Sequence, residues 1–204
     1  MITNIKIYGL DESIKASHYP KSTESIIYNE LSDIDLKRYN TLSTVPIGSG
    51  HDCFLKGIIV QHDICASQAF WMQWQRYHFH DIISSQSKMH NILNFKLIPF
   101  QFHPSVEHSV IEILKNLIDV YNNSKSNQIN WNGKTYKKLK FFEKIIYNTP
   151  MGFKLTARIT TNYLQLKTIY FQRKNHKLSE WKVYIDQILS LPRFKNIVLK
   201  NNKN

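Results

Sequence analysis

Apolar and polar residues alternate in two parts of the chain, and each alternation predicts a half-buried strand. The first is Ile2–Tyr8, which ends at Gly9, and the second is 154–161. Residues 53–64 are rich in β-branched and aromatic side chains, which predicts a long central strand. These three strands form the expected framework of the sheet.

Apolar residues spaced three to four apart predict helices elsewhere in the chain. The pattern is strongest over 105–121, and weaker segments show it at 11–16, 136–147, 162–171 and 179–189. Ser32 and Ser67 stand where a serine caps the start of a helix, so we expect two more helices after these residues.

Four aromatic residues follow Ser67 at helical spacing: Phe70, Trp71, Trp74 and Tyr77. Flat rings of this kind can stack on a flavin or on a base. The spacing is nevertheless typical of a helix face that packs into a core. We therefore expect a core face here.

Strands and helices follow one another without a regular strand–helix–strand rhythm, and the sequence has no internal repeat. This order favours an α+β fold, with a mixed sheet packed against helices, over a doubly wound sheet. A length of 204 residues suits one domain, and the polar segment 122–128 is too short to indicate a second. We expect a single domain over 1–204.

The chain is strongly basic, with 27 Lys and Arg against 15 Asp and Glu and a formal net charge of +12. Such an excess attracts polyanions or phosphorylated ligands, although an AT-rich genome also places lysine on solvated surfaces. No apolar run approaches the roughly 18 residues of a membrane span, and the first residues lack a signal-peptide pattern. We expect a cytoplasmic protein without membrane contact.

Polar groups suited to binding are densest over 73–90. Here a predicted helix runs out into Ser, Gln and His residues, and loops beside a rigid helix often carry binding groups. An aromatic–histidine pair at 77–78 is followed by Ser-x-Gln-Ser, which ends at Ser87.

This order resembles the signature of the flavin-dependent thymidylate synthases (ThyX), with His78 matching the signature histidine and Ser87 its closing serine. A second match lies near the other end, where Pro150, Asn162 and Arg173 follow at spacings of twelve and eleven residues. The motifs are similar to those of a ThyX-like group common in bacteriophages. The resemblance covers 48–192 and rests on these two motifs and their order.

The resemblance implies a ThyX-like fold and a homotetramer whose sites combine residues from several subunits. The implied reaction is methylation of dUMP to dTMP with methylene-tetrahydrofolate, NADPH and reduced FAD, and it requires no protein nucleophile. The implied residues are Ser87 and Arg173 for catalysis, His78, His80 and Asn162 for the flavin, and Gln73, Arg76, Gln86, Ser87, Lys88 and Arg173 for the substrate.

The chain departs from this signature at Tyr77, Phe79 and Met89, which stand where the family has arginines. An arginine can place two charge-assisted hydrogen bonds on a phosphate, each worth about 1.5 to 3 kcal/mol. Four other cations could substitute: Arg76, Lys88, Lys174 and Lys177. The departures support a second hypothesis, a nucleotide-binding protein of the same fold without flavin chemistry, serving viral nucleotide metabolism or counter-defence.

Simpler structural roles also fit several of these residues. Gln86 and Ser87 could cap the next turn, and Arg173 could stabilise the C-terminal end of a helix. We do not favour a metal site, because no Cys or Glu completes a known ligand spacing with the nearby histidines His78, His80 and His90.

Lysines and aromatic residues are interleaved over 134–144. This pattern suits nucleic acid and gives a third hypothesis, a basic nucleic-acid-binding protein. A solvated helix face explains the pattern more simply, so nucleic acid stays open as a partner without being favoured.

Overall fold

The computed structural model describes residues 1–24 and 30–199, and six strands and nine helices lie within these ranges. The strands are β1 (Ile2–Tyr8), β2 (Ile59–Ser67), β3 (His80–Ser85), β4 (Gln128–Trp131), β5 (Lys134–Lys137) and β6 (Lys154–Asn162). The helices are α1 (Leu10–Ala16), α2 (Asp33–Leu42), α3 (Gln68–Trp74), α4 (Lys88–Asn91), α5 (His108–Asn123), α6 (Lys138–Tyr147), α7 (Tyr163–Arg173), α8 (Ser179–Ile188) and α9 (Phe194–Leu199). Short 3-10 helices cover Tyr19–Lys21, Cys53–Gly57 and Pro99–Gln101.

Four of the strands form one sheet in the order β1-β2-β6-β3. β1 runs antiparallel to β2, with Ile2 opposite Ile64 and Tyr8 opposite Ile59. Buried side chains alternate along β2 and along most of β6, as expected for strands with one face in a core. β4 and β5 form a separate antiparallel pair. This combination of helices and sheet confirms the predicted α+β class.

The described residues group into two compact units, and each unit is built from discontinuous segments. Unit 1 contains the described residues of Met1–Ile64, Tyr77–Ser84 and Arg158–Asn204. Unit 2 contains Cys65–Arg76 and Ser85–Ala157. A single domain over the whole chain stays a prediction.

The predicted strand at 53–64 is wrong in its first half, because Cys53–Gly57 forms a 3-10 helix and β2 starts only after it. Leu55 and Ile58 are both fully buried although they lie three residues apart. A strand would bury every second residue, whereas a helical turn brings residues three apart to one side.

The predicted serine caps are confirmed. Ser32 Oγ accepts a hydrogen bond from the backbone N–H of Asp35, and Ser67 Oγ accepts one from Phe70, both at 3.2 Å. Helices α5 and α6 begin slightly later than the periodicity predicted. In the described ranges, the structure contains no helix with the length and apolar character needed to cross a bilayer.

The aromatic core face is confirmed in α3 for Phe70, Trp71 and Trp74, which are all buried. Extending that face to Tyr77 was wrong, because α3 ends at Trp74. Tyr77 belongs to unit 1, whereas α3 belongs to unit 2.

Unit 1 contains a buried ion pair between Lys167 of α7 and Asp52. Lys167 Nζ lies 2.6 Å from Asp52 Oδ2, and both side chains are almost inaccessible to solvent. The same ammonium donates a hydrogen bond to the carbonyl oxygen of Val45 (2.7 Å). Because desolvating an ammonium costs several kcal/mol, it needs such partners. Lys167 therefore fastens both ends of the segment 45–52 to α7.

Candidate functional site

The first part of one sequence motif and the last part of the other lie next to each other in unit 1. At the end of β6, Thr161 donates a hydrogen bond from its hydroxyl to the carbonyl oxygen of Phe79 (3.1 Å). At the end of α7, Arg173 donates a hydrogen bond from Nε to the hydroxyl oxygen of Tyr77 (2.6 Å). These contacts join residues that are 82 and 96 positions apart in the sequence.

Arg173 lies against two aromatic rings, and we call Tyr77, Arg173 and Trp181 the Arg173 clamp. The guanidinium carbon lies 5.5 Å from the centre of the Tyr77 ring and 4.8 Å from that of the Trp181 ring. The two ring centres are 6.0 Å apart. Cation–π contacts stabilise by about 0.5 to 2 kcal/mol, depending on desolvation. The clamp therefore fixes a half-buried cation at the end of α7.

His176 lies in the turn after α7, and its ring centre is 6.2 Å from that of Trp181. Its Nδ1 accepts a hydrogen bond from the backbone N–H of Leu178 (3.0 Å). Burial, and then the charge of Arg173, lower the pKa of His176. Since the imidazole is mostly neutral at pH 7, Arg173 supplies the fixed positive charge of this cluster.

The three predicted flavin contacts also belong to unit 1. Asn162 caps α7, because its Oδ1 accepts the N–H of Gln165 (2.9 Å). His78 is exposed, whereas His80 is half-buried and has a lowered pKa, mainly because of burial. Amide and imidazole groups suit the polar edge of a ring ligand.

No cluster of three or more His, Cys, Asp or Glu residues suited to a metal ion occurs in the described part of the chain.

In unit 2, Gln86 and Ser87 have structural partners. The N–H of Gln86 donates to the carbonyl oxygen of Thr156, and Gln86 Oε1 accepts the N–H of Thr156, both at 2.9 Å. Ser87 caps α4, since its Oγ accepts the N–H of His90 (3.2 Å). The simpler interpretation, capping and backbone pairing, is confirmed for both residues. Their substrate contacts stay predictions.

Lys88 is held by a neutral amide. Its Nζ donates to Gln68 Oε1 (3.0 Å), and Gln68 Nε2 donates to the carbonyl oxygen of Pro150 (3.2 Å). Burial lowers the pKa of Lys88. Lys88 follows the last residue of the first sequence motif, and Pro150 begins the second. Gln68 therefore links these parts of the two motifs within unit 2.

The next residues to place are two predicted substrate contacts and two positions where the family has arginine. They differ in their exposure to solvent. Gln73 is half-buried in α3, and Arg76 is exposed just beyond that helix. Phe79 is 68% exposed and Met89 is 57% exposed. Apolar side chains thus face solvent at two positions where the resemblance implies a cation.

Unit 1 also contains a cavity of about 780 Å³ that involves none of the predicted site residues. It is lined by 16–21, by part of α2 and by residues of 50–54. Its volume is typical of small-molecule sites. Within the described residues the lining includes no acidic side chain, and its basic side chains are His18, Lys21, Lys37, Arg38 and His51. No motif in the sequence marks this cavity.

Three lysines in the basic segment 134–144 have partners within unit 2. Lys138 Nζ donates to the carbonyl oxygen of Ser124 (2.9 Å). Lys140 pairs with Glu143 at 2.8 Å, and Lys144 Nζ lies 5.2 Å from the centre of the Tyr136 ring. These contacts favour a solvated structural surface over a nucleic-acid site.

Behind the clamp, Trp181 packs on the buried Tyr184, whose hydroxyl lies 3.3 Å from Nε2 of the buried His62. Burial lowers the pKa of His62 from 6.5 to about 4, with a smaller contribution from Arg158. As pH falls from 6.5 towards 4, the unfolded chain binds a proton that the folded chain excludes. The free energy of unfolding should therefore fall by up to about 3 kcal/mol over this range.

Urea unfolding of His62→Gln checks this prediction, because the variant lacks the titrating imidazole and should lose that part of the pH dependence. His108→Gln is the matched control, since His108 is exposed on α5 and the variant should keep the slope of the unaltered protein. An unchanged slope in His62→Gln would contradict the prediction.

No known protein family and no curated protein matches the chain by sequence. Solved structures do match it. One is ThyX from Helicobacter pylori with FAD and dUMP, at a TM-score of 0.68 and 13% identity over 98% of both chains. Another structure of ThyX from Helicobacter pylori, complexed with FAD and dUMP, has a TM-score of 0.69 and 14% identity over 98% of this chain and 99% of the other.

A third structure is the UMP/dUMP methylase PolB from Streptomyces cacaoi bound with 5-Br dUMP. It has a TM-score of 0.64 and 11% identity over 98% of this chain and 95% of the other. Likeness at such low identity shows the fold, so the chain has a ThyX-like fold, as the sequence motifs predicted. Membership of the bacteriophage group stays a prediction.

Proposed function

We propose that this chain, with its ThyX-like fold, is a cytoplasmic flavin-dependent thymidylate synthase-like enzyme that methylates dUMP to dTMP. The Arg173 clamp carries this proposal, because it holds a cation at a position that the resemblance assigns to substrate. Proteins with the same fold have been solved with dUMP or 5-Br dUMP, and two of these structures hold FAD.

In this proposal Arg173 binds the phosphate or the polar edge of the pyrimidine of dUMP. The planar guanidinium can place two parallel hydrogen bonds on either group. In unit 2, Ser87 and Lys88 are predicted substrate contacts, and the ammonium of Lys88 is held by Gln68. Other substrate contacts come from Gln73, Arg76 and Gln86.

The chemistry of unit 1 fits FAD. Asn162, His78 and His80 offer amide and imidazole hydrogen-bonding groups for the ring, and the exposed Lys174 and Lys177 offer ammonium groups for the diphosphate. Bound FAD supplies hydride-transfer chemistry, with NADPH and methylene-tetrahydrofolate as co-substrates. The protein's own task is to bind, orient and neutralise charge, without a covalent nucleophile.

Strand β3 supports the proposed homotetramer. It is an edge strand of the sheet, and residues 81–85 are exposed. Two of them, Ile82 and Ile83, are apolar. An open edge with exposed apolar residues is usually covered by another element or another chain. A second copy of this chain would cover it in the assembly.

The first experiment is a visible absorption titration of the purified protein with FAD. We expect a saturable, structured shift of the flavin band, followed by NADPH oxidation that depends on dUMP. Asn162→Ser is an informative variant, because serine keeps the helix cap while the amide is lost. It should weaken FAD binding by up to about tenfold, the value of one hydrogen bond. A protein that ignores FAD would refute the flavoenzyme proposal.

The second candidate function is nucleotide binding without flavin chemistry, and the exposed Phe79 and Met89 favour it. It predicts that dUMP binds while FAD leaves the protein colourless. Calorimetric titration with dUMP in the absence of FAD separates the two functions. Steeply salt-dependent binding of duplex or single-stranded DNA, with no dUMP binding, would instead support the nucleic-acid hypothesis.

A further inference from the structure

Tyr77 stands where the family has an arginine, and it contacts Arg173 directly. Tyr77 accepts the Nε hydrogen bond of Arg173 at 2.6 Å and also places its ring 5.5 Å from the guanidinium carbon. Together the two distances place the guanidinium beyond the hydroxyl end of the ring, so Tyr77 contacts the cation chiefly through its hydroxyl oxygen. An arginine here could not accept this hydrogen bond, and its charge would repel Arg173.

The clamp restrains Arg173, which ends a helix and is only half-buried. A long, flexible side chain in that place has many rotamers, and ordering it on binding weakens affinity. Trp181 is fully buried and forms a rigid wall 4.8 Å from the guanidinium carbon. The hydroxyl of Tyr77 then fixes rotation of the planar group against that wall.

We propose that Tyr77 is a positioning residue, which orients the Arg173 guanidinium in advance for an anionic nucleotide. This inference rests on the proposed function for the identity of the ligand. The orientation of the guanidinium does not depend on the proposed function, because it exists without a ligand. The replacement of one arginine by tyrosine at the signature thus strengthens the placement of the cation that remains.

Three variants separate positioning from packing. Tyr77→Phe keeps the ring and removes the hydroxyl, while Tyr77→Arg restores the residue that the resemblance implies. Tyr147→Phe is the control, because Tyr147 is 86% exposed and lies outside the clamp. Thermal unfolding of each variant reports any loss of fold, so that changes in binding can be read separately.

The ligand-free measurement is the arginine Nε–H signal in a ¹H–¹⁵N NMR spectrum, assigned to Arg173 by its absence from Arg173→Lys. A hydrogen-bonded Nε–H exchanges slowly with water. We expect Tyr77→Phe to shift this signal and to speed its exchange at least tenfold, and Tyr147→Phe to leave it unchanged. An unchanged signal in Tyr77→Phe would overturn the inference, whether or not the protein binds nucleotide.

The ligand measurement is calorimetric titration with dUMP. Tyr77→Phe should raise the Kd up to about tenfold, which is the value of one hydrogen bond. Tyr77→Arg should raise it further, because two like charges then compete. If Tyr77→Arg binds dUMP more tightly than the unaltered protein, position 77 is a missing contact and the inference fails. If the unaltered protein binds no dUMP, the proposed function fails and the Nε–H signal alone decides the inference.

Discussion

Replacing Lys167 by methionine should lower the free energy of unfolding by about 3 to 5 kcal/mol, the usual effect of removing one partner of a buried ion pair. The variant removes the ammonium partner of the almost fully buried Asp52 carboxylate. It also removes the hydrogen bond that holds the carbonyl of Val45. Urea unfolding at pH 7 measures the change.

The control for this prediction is Lys182→Met, which alters an exposed lysine on α8 and should change stability by less than about 0.5 kcal/mol. Adding Asp52→Asn to Lys167→Met should recover part of the loss, because no unpaired charge then remains buried. A loss below about 1 kcal/mol in Lys167→Met would show that the pair contributes little or that water reaches it.

Arg173→Ala should weaken dUMP binding by about 100-fold or more. Two charge-assisted hydrogen bonds of about 1.5 kcal/mol each already correspond to this factor. Arg173→Lys should recover only a part, because an ammonium keeps the charge but lacks the planar fork. Calorimetric titration measures the Kd of dUMP for the unaltered protein, Arg173→Ala and Arg173→Lys.

Lys195→Ala serves as the control for Arg173→Ala, since Lys195 is exposed on α9 and should not affect binding. Each variant must first show cooperative thermal unfolding, because Arg173 also packs against Tyr77 and Trp181. If Arg173→Ala binds dUMP within threefold of the unaltered protein, the clamp has a structural role only.

The parts of the fold that follow from local physics could be predicted from the sequence. Alternation identified both β1 and β6 as strands. β6 packs one face into a core, as predicted. The predicted half-burial was wrong for β1, where only Ile2 is buried. The 3-10 helix at Cys53–Gly57 was missed because the composition of 53–64 as a whole favours a strand, although the β-branched residues all lie after Gly57. The placement of Leu55 and Ile58 against the rest of unit 1 decides between a strand and a helical turn.

The hairpin of β4 and β5 was also missed, although the sequence carried a signal for it. Asn132 and Gly133 have φ angles of 48° and 74°, as a two-residue hairpin turn with both central residues left-handed requires. Asn-Gly between Trp131 and Lys134 is the usual sequence for that turn. Helical periodicity in the following segment led us to start the helix too early.

Long-range contacts explain what the sequence left open at the candidate site. Motif order indicated that Arg173 and the segment 77–80 belong together, yet no local pattern shows that Tyr77 is the acceptor of Arg173. The same applies to Gln68, whose link to Lys88 spans 20 residues and which no motif marked. The cavity was missed because its lining comes from separate segments, and none of these segments has a distinctive sequence pattern.

The discontinuity of the two units has a consequence for the growing chain on the ribosome. Every segment of unit 2 has been made once residue 157 is added, whereas unit 1 still lacks α7, α8 and α9. At about 5 to 20 residues per second, the remaining segment takes several seconds to synthesise. During that interval Asp52 has no Lys167 to pair with, so unit 1, whose first segment precedes every segment of unit 2, is completed after unit 2.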